Sequence, residues 1–371
     1  MMAGVGAGTN AASVRSVLIA LAWTAALSRC GAHAMSGMED EAWGAVERRG
    51  THFVVRGRPF LVHGFNTYWL MVFAADPATR CKVSDVFKDA ADAGLTVCRT
   101  WAFNDGGWRA LQISPFVYDE EVFKGLDFVV SEARTHGMRL MLSLCNNWED
   151  YGGKAQYVRW GKEAGLDLSG DDDFFSDPTV KGYYKAFVKV KHKAWFEEMA
   201  AYVKSIDPMH LLEIGVEDFI RNHQVAGVDF ASVHVYSDTW LPDPDSDAHL
   251  QFVRDWMHQH MDDAEKLLGK PVVFGEFGAS VKDERFDSGF RETFMETVYN
   301  TLLSSRTRRD VGGGCLVWQL FPEGTEHMDD GYAVVLAESP STLQMLSQHS
   351  RNLQTHHSKG SCRSSEPREE L

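Results

Sequence analysis

The 371-residue sequence lacks several features that would point to particular functions. Its six cysteines are widely scattered and never form a C-x-x-C pair, so neither a zinc site nor a small disulfide scaffold is indicated. Lysine and arginine form no basic face, and the net charge is −15, which argues against a nucleic-acid partner. Beyond the N-terminus no stretch reaches roughly 18 uninterrupted apolar residues, so no membrane-spanning helix is expected. No N-x-S/T sequon occurs, so N-glycosylation is not expected. No G-x-G-x-x-G follows the first strand-like run, which leaves a dinucleotide cofactor without support. There is no solenoid-type repeat and no low-complexity linker, and the charged content is that of an ordinary globular protein.

At the N-terminus Arg15 precedes the apolar run Val17-Leu18-Ile19-Ala20-Leu21-Ala22-Trp23. Small residues follow, ending in Ala32-His33-Ala34, a form that a signal peptidase accepts. The expectation is a secretory signal over residues 1–34, an extracellular, cell-wall location, and one barrel-sized domain over 35–348. Residues 349–371 are polar, with paired His356-His357, and read as a frayed tail. After residue 34 the cysteines are Cys81, Cys98, Cys145, Cys315 and Cys362, an odd number that leaves at least one thiol unpaired. Cys98, Cys145 and Cys315 lie in apolar runs and read as buried structural residues.

Short β-rich runs alternate with helical patterns through the domain. The runs are Pro59–Phe65, Leu95–Phe103, Arg139–Asn147, Leu211–Glu217, Phe230–Tyr236, Pro271–Gly278 and Gly313–Leu320. Most are nearly all apolar, as parallel strands covered on both faces are. The helical patterns are Lys82–Ala93, Glu120–His136, Leu250–Leu268 and Arg291–Arg306. The alternation predicts an α/β fold with a parallel sheet. Several runs end in polar or aromatic residues, as strands of a TIM (β/α)8-type barrel do at the face that carries the active site. An open doubly wound sheet is the second choice.

Seven strand-like runs are present where a barrel needs eight. Between Arg139–Asn147 and Leu211–Glu217 the sequence shows only helical spacing, from about Thr179 to Ile206. The stripe fails at Lys191-His192, inside the basic run Lys189–Lys193. A single helix of that length would extend about 42 Å, too long for one barrel unit. Two helices joined where a strand belongs fit better, and the barrel is expected to lack strand four. Its neighbours, strands three and five, would then have open edges unless the sheet closes with altered tilt and shear.

The pieces Gly64-Phe65-Asn66-Thr67-Tyr68-Trp69-Leu70-Met71, Arg99-Thr100-Trp101-Ala102-Phe103-Asn104-Asp105, and Asn146-Asn147-Trp148 with Tyr151-Gly152-Gly153 carry a specific resemblance. So do Ala231-Ser232-Val233-His234-Val235-Tyr236, Val273-Phe274-Gly275-Glu276-Phe277-Gly278 and Asp329-Asp330-Gly331-Tyr332. In order and spacing, from about Thr51 to Leu346, the chain resembles the plant-type endo-β-1,4-mannanases of glycoside hydrolase family 5. The resemblance implies a (β/α)8 barrel that cleaves internal β-1,4-mannosidic bonds of mannan, galactomannan or glucomannan with retention. It implies no metal or organic cofactor and a β-mannan partner, and the chain is expected to be a monomer. The nucleophile at the end of strand seven matches Glu276. The acid/base, in an Asn-Glu-Pro motif after strand four, has no match, because no Asn-Glu-Pro occurs in the sequence. Its place falls at Lys189–Lys193, and a second contraction follows Glu217.

Retaining hydrolysis needs two carboxyls roughly 5–5.5 Å apart. Glu276 interrupts an apolar run, where a carboxylate is uncommon without a reason. Arg99 interrupts another, and by the resemblance it holds the nucleophile ionised. A structural ion pair remains the alternative for both. His234 and Tyr236 share one strand face, as cleavage-site residues or as satisfied core residues. Trp101, Trp148 and Trp318 offer flat faces to a sugar ring, and Asn147 offers hydrogen bonds unless it only forms a turn. Glu217 and Glu149 are the other acids weighed for the missing role, although the resemblance places neither at the leaving-group oxygen. Alternative readings are a catalytically inactive mannan-binding protein and an unstable truncated isoform.

Overall fold

The computed structural model describes residues 43–188, 195–215, 219–242, 245–309 and 312–363. The expected signal segment, the Lys189–Lys193 junction and Glu217 lie outside the described residues.

Three short strands come first: β1 (Val46–Arg49), β2 (His52–Val55) and β3 (Arg58–Phe60), paired antiparallel. The β2–β3 turn is Arg56-Gly57, with φ of 52° and 74°. Two central residues with positive φ form the primed turn whose twist suits adjacent strands. The main sheet is built from β4 (Val62–Asn66), β5 (Val97–Trp101), β8 (Arg139–Ser143), β9 (Ala231–Val235), β10 (Val272–Phe277) and β11 (Gly314–Val317). A small hairpin, β6 (Gln112–Ser114) with β7 (Val117–Tyr118), decorates the loop after β5. Every pairing in the main sheet is parallel, in the order β8-β5-β4-β11-β10-β9. The first and last strands of this sheet, β4 and β11, therefore meet at its centre, as in a barrel, and the sheet curls into a half-barrel.

The two faces of this sheet are chemically distinct. On the concave face Val62, Val97, Val273 and Leu316 pack with Phe53 of β2 and Phe230 in a small apolar cluster. The Phe53 and Phe230 rings meet edge to face at 5.3 Å, so the N-terminal hairpin sheet plugs the bottom of the curl. On the convex face Phe65, Cys98, Phe274, Phe277 and Val317 pack under helices 81–92, 246–263 and 288–309 in the largest cluster. Helix 120–135 shows how the sequence sets such an element. Asp119 caps it by accepting from the backbone N–H groups of Glu121 and Val122, and Val122, Leu126, Val129 and Ala133 bury one stripe. Gly64 in β4 is required by close approach, since a Cβ there would stand 1.9 Å from the Val97 carbonyl oxygen.

The stretch read as two helices is two helices, Pro178–Val188 and Trp195–Ile206. They join helix 153–163 around a separate apolar cluster that includes Phe103, Tyr157, Phe174, Phe187, Met199 and Tyr202. Leu211–Glu217 is corrected: residues 211–215 form no strand. Leu212 is tied to Asp229 by two bonds, its N–H donating to the carboxylate and its carbonyl accepting from the Asp229 N–H, each 2.8 Å. A strand needs ladder partners, and no described strand flanks this segment on the β8 side. Among the described residues the open edges are therefore β8 and β9, strands three and six of a barrel.

The tail is corrected too. A helix spans Pro340–Arg363, across the boundary expected at 349. His349 is 4% exposed, stacked on Tyr299 at 4.0 Å and edge-on to His63 at 4.9 Å. Leu346, His349 and Leu353 share one helical face against the core, which polar composition alone concealed. Burial lowers the pKa of His63 to about 4 and that of His349 to about 3. Cys98 and Cys315 are buried as expected, Cys145 is half-buried, and these and Cys81 carry free thiols. No helix among the described residues is long and apolar enough to cross a membrane.

Candidate active site

Strand alternation on β4, β5 and β11 points Asn66, Arg99, Trp101 and Trp318 to the concave side, above Val62, Val97 and Leu316 of the interior cluster. Strand β10 departs from this rule. Phe274 and Phe277 both pack on the convex face, which strict alternation forbids, and the registers with β9 and β11 shift between them. This bulge turns Glu276, which alternation would group with Phe274, toward the cleft. Asn66 fixes the place, its amide donating to the Gly275 carbonyl at 2.9 Å and to those of Leu316 and Val317 at 3.3 Å. Its amide oxygen accepts from Arg99 Nη1 at 3.0 Å.

Arg99 Nη1 also donates to Glu276 Oε1 at 2.5 Å. The other carboxylate oxygen accepts from the Tyr236 hydroxyl at 2.9 Å and lies 3.2 Å from His234 Nδ1. Both oxygens are thus oriented by donors, while the side chain keeps 14% of its surface open to solvent. Burial pushes the Glu276 pKa up, but His234, Arg99 and Tyr236 together hold it below the ordinary carboxylate value. Burial pulls the Arg99 guanidinium down, and Glu276 with Glu213 more than restores it, so the pair is ionised. Burial lowers the His234 pKa, leaving a neutral imidazole in neutral solution, and raises that of Tyr236, which keeps its proton. Tyr332 backs Tyr236 edge-on at 5.4 Å and is itself anchored on Asp238, its hydroxyl donating at 2.7 Å.

Beside this cluster stands an aromatic wall. Tyr68 stacks against Trp318 with ring centres 6.2 Å apart and contacts Trp101 at 5.1 Å. Tyr151 meets Trp101 edge-on at 5.0 Å. Asp330 fixes the orientation of Trp318 by accepting from its indole Nε1 at 3.0 Å, and it also accepts from Gln319 at 2.9 Å. Such flat faces suit the C–H surface of a pyranose ring.

Of the residues singled out in the sequence, Glu276, Arg99, His234, Tyr236, Trp101 and Trp318 come together. Asn147 and Trp148 do not join them by any described contact. Trp148 is 71% exposed on the loop after β8, and it is Asn146 whose side chain closes the turn there. Glu149 is exposed on that loop as well. Sequence reasoning missed Asn66, Tyr68, Asp330 and Glu213. The first three lie inside the motifs quoted above, and for Asn66 the strand face it shares with Val62 and Gly64 was a further available signal. Glu213 lies in the segment wrongly read as a strand. It accepts from the Ser232 hydroxyl at 2.5 Å, and its charge is felt by both Arg99 and His234.

Comparison with known proteins agrees with this geometry. The profile described as GH family 5 beta-mannosidase-like matches residues 44–187 and 177–322, two pieces that overlap over 177–187, just before the Lys189–Lys193 junction. The mannan endo-1,4-beta-mannosidase 7 of Oryza sativa subsp. japonica is 57% identical over 373 residues, covering 84% of this chain and 98% of that protein. Since 84% of 371 residues is about 312, about 61 alignment positions (373 less 312) hold no residue of this chain. The mannan endo-1,4-beta-mannosidase 5 of Solanum lycopersicum is 43% identical, covering 83% of this chain and 88% of that protein. Among solved structures, a glycoside hydrolase family 5 mannosidase from Rhizomucor miehei superposes with a TM-score of 0.72 at 22% identity, over 84% of this chain and 97% of that one. An endo-1,4-beta-D-mannanase from Thermotoga petrophila gives a TM-score of 0.66 at 22% identity, over 79% of this chain and 99% of that one. These two likenesses establish the TIM-type barrel fold, here with an open edge. The chain belongs to glycoside hydrolase family 5, in its beta-mannosidase-like group.

Proposed function

We propose that this chain is a glycoside hydrolase acting on internal β-1,4-mannosidic bonds by a retaining mechanism, with Glu276 as nucleophile. The observation that carries the reading is the Glu276 carboxylate itself. It is ionised, oriented on both oxygens and reachable from solvent beside an aromatic wall. Arg99 holds the charge and aims one oxygen. Tyr236 and His234 hold the other, leaving a lone pair free to attack an anomeric carbon. Trp318 and Trp101, with Tyr68, would seat the sugar so that C1 lies above Glu276, supplying the orientation on which such an attack depends. No metal or organic cofactor enters these steps.

The acid/base is the part the sequence does not supply. Without a proton donor the departing sugar oxygen must leave as an alkoxide, and a positioned acid contributes about 10²–10⁴-fold. We therefore expect this chain to bind β-mannan and to cleave it far more slowly than an intact relative. The binding-only alternative is not favoured, because the complete donor set around Glu276 is what a nucleophile needs and exceeds what binding requires. The test is calorimetric titration with mannohexaose alongside reducing-sugar release from mannan. No binding would sink the mannan assignment, and polymer cleavage at the rate of an intact relative would sink the account of the missing acid.

Secretion is part of the same proposal, supported by the Arg15-led apolar run and Ala32-His33-Ala34. N-terminal sequencing of the protein recovered from culture medium should begin near Met35. Intracellular retention of the full-length chain would refute it.

A further inference from the structure

Apart from the cleft, the fold encloses a cavity of about 240 Å³. It lies between the segment after β10, the start of helix 288–309 and the long loop after β11. We propose that this cavity is a separate binding site for one small, neutral, hydroxylated ring, held by Arg291, Asp329 and Glu338. The proposal stands apart from the mannan-directed reading, since no described lining residue belongs to the cluster around Glu276.

Arg291 is the reason to expect a ligand. It sits in the first turn of helix 288–309 and is 9% exposed. Its Nη1 donates to the Ala333 carbonyl at 3.1 Å, while its buried Nε has no hydrogen-bond partner among the described residues. A guanidinium carries five donors in a fixed fork, and a buried donor left unmet costs stability. Burial lowers the pKa of this group against the opposing pull of Asp329 and Glu292, yet a guanidinium stays charged in neutral solution. Glu292 is turned elsewhere, accepting from the Ser341 and Thr342 hydroxyls at 2.6 and 2.7 Å. Asp329 is fixed in place. One of its oxygens accepts from the backbone N–H groups of Gly331 and Ala333, at 2.7 and 3.2 Å, and the other lies 3.4 Å from Lys282 Nζ. Arg291 and Asp329 thus grip the same segment, 329–333, and both border the cavity.

The lining selects the ligand. Arg291 offers donors, whereas Asp329 and Glu338 offer acceptors. A hydroxyl serves both, its oxygen accepting from the guanidinium while its proton goes to a carboxylate. A phosphate or sulfate only accepts, and its charge would meet two carboxylates beside one cation. A bare cation would meet the guanidinium. Val281, Phe321 and Val335 add apolar lining, which suits the C–H surface between the hydroxyls of a ring. The volume falls below the roughly 300–1,000 Å³ of sites for drug-sized ligands, so one ring fits and a chain of sugars does not.

The test is a ligand-observed NMR titration of the full chain with D-mannose, D-galactose and myo-inositol, with inorganic phosphate as the anionic probe. The expected result is saturable binding of at least one of the three rings and none of phosphate. Arg291→Met should weaken that binding about tenfold or more, as loss of hydrogen bonds from a charged group does. Val281→Phe, at a position 39% exposed where the fold tolerates a larger side chain, should block it. Glu276→Gln and Trp101→Ala should leave it unchanged, which separates this site from the cleft. No saturable binding of any ring would overturn the proposal, and so would binding of phosphate in their place. Binding that survives Val281→Phe, or that disappears in Glu276→Gln, would put the ring outside this cavity and overturn it too. Mannohexaose binding decides the mannan reading separately, whichever way these titrations fall.

Discussion

The centre of the sheet and its open side were made by the same kind of sequence, yet they ended differently. Strand β4 lies between β5 and β11, and all five of its residues are buried. Strand β8 is just as apolar through Leu140-Met141-Leu142, but it is an edge and every residue in it is only half-buried. The nucleophile cluster hangs mostly from the paired strands β4, β5 and β10 and the end of β11, with His234 and Tyr236 supplied by the other edge strand, β9, and the residue after it. The acid/base of the family would hang between β8 and the segment 211–215, where the ladder stops. Neighbours on both sides bury β4 completely, whereas the edge strands β8 and β9 stay partly open. The Arg99–Glu276 pair is attached to strands with neighbours on both sides, β5 and β10.

The contrast can be tested most strongly at the charge it protects. Arg99→Leu should slow formation of the Glu276 ester by about 10²–10³-fold, since it removes a preorganised cationic donor. It should also move the acid limb of the rate upward, because the carboxylate loses its guanidinium. The pH profile of dinitrophenolate release from a 2,4-dinitrophenyl β-mannoside reads both effects. A limb that stays put would mean that Tyr236 and His234 alone hold the carboxylate ionised.

Packing gives the next largest difference. Phe65→Ala, at the centre with no exposed surface, should cost about 3–5 kcal/mol in urea unfolding, as large-to-small changes in a filled core do. Leu140→Ala on the open strand should cost about 1–2 kcal/mol, since its side chain is already partly hydrated. Equal losses would mean that the edge is packed as tightly as the centre.

The buried histidine pair behind β4 gives a pH signature. His63 and His349 are neutral when folded, with pKa values lowered by burial to about 4 and about 3. In the unfolded chain each takes up a proton below about 6.5. The unfolded state therefore binds more protons through this window, and stability falls as pH drops from about 6.5 to about 4, by about 3 kcal/mol for His63. Urea midpoints measured across that range should decline, and His349→Leu should flatten the decline. A pH-independent midpoint would show the pair to be solvated.

The smallest effect belongs to the aromatic wall. Asp330→Ala releases the Trp318 indole N–H and the Gln319 amide, and should weaken mannohexaose binding by about 1 kcal/mol, roughly fivefold. Titration calorimetry would detect this, and unchanged affinity would show that Trp318 is held by Tyr68 alone.

Much of this molecule could be read from the chain before folding. Apolar runs near Phe65, Cys98, Leu140, Val233, Phe274 and Leu316 became the six strands, because a run covered on both faces needs no information beyond its own composition. Arg99 and Glu276 drew attention as charges inside such runs, and they form the ion pair. Leu211–Glu217 had the same composition, yet its described part, 211–215, forms no strand, since no described strand stands beside it on the β8 side. The helix through His349 was hidden for the opposite reason, since its buried face is built partly from histidine and serine.

The sequence by itself determined most of the strand-forming runs, the two helices over 178–188 and 195–206, and the absence of an Asn-Glu-Pro motif. Only the tertiary structure decided that Glu276 faces the cleft, because the bulge at Gly275 reverses the alternation that would have turned it outward. It also decided that Asn66 and Asp330 hold Arg99 and Trp318 in place. Side-chain direction and hydrogen-bond partners depend on chain segments far apart in sequence, and periodicity along one segment carries no record of them.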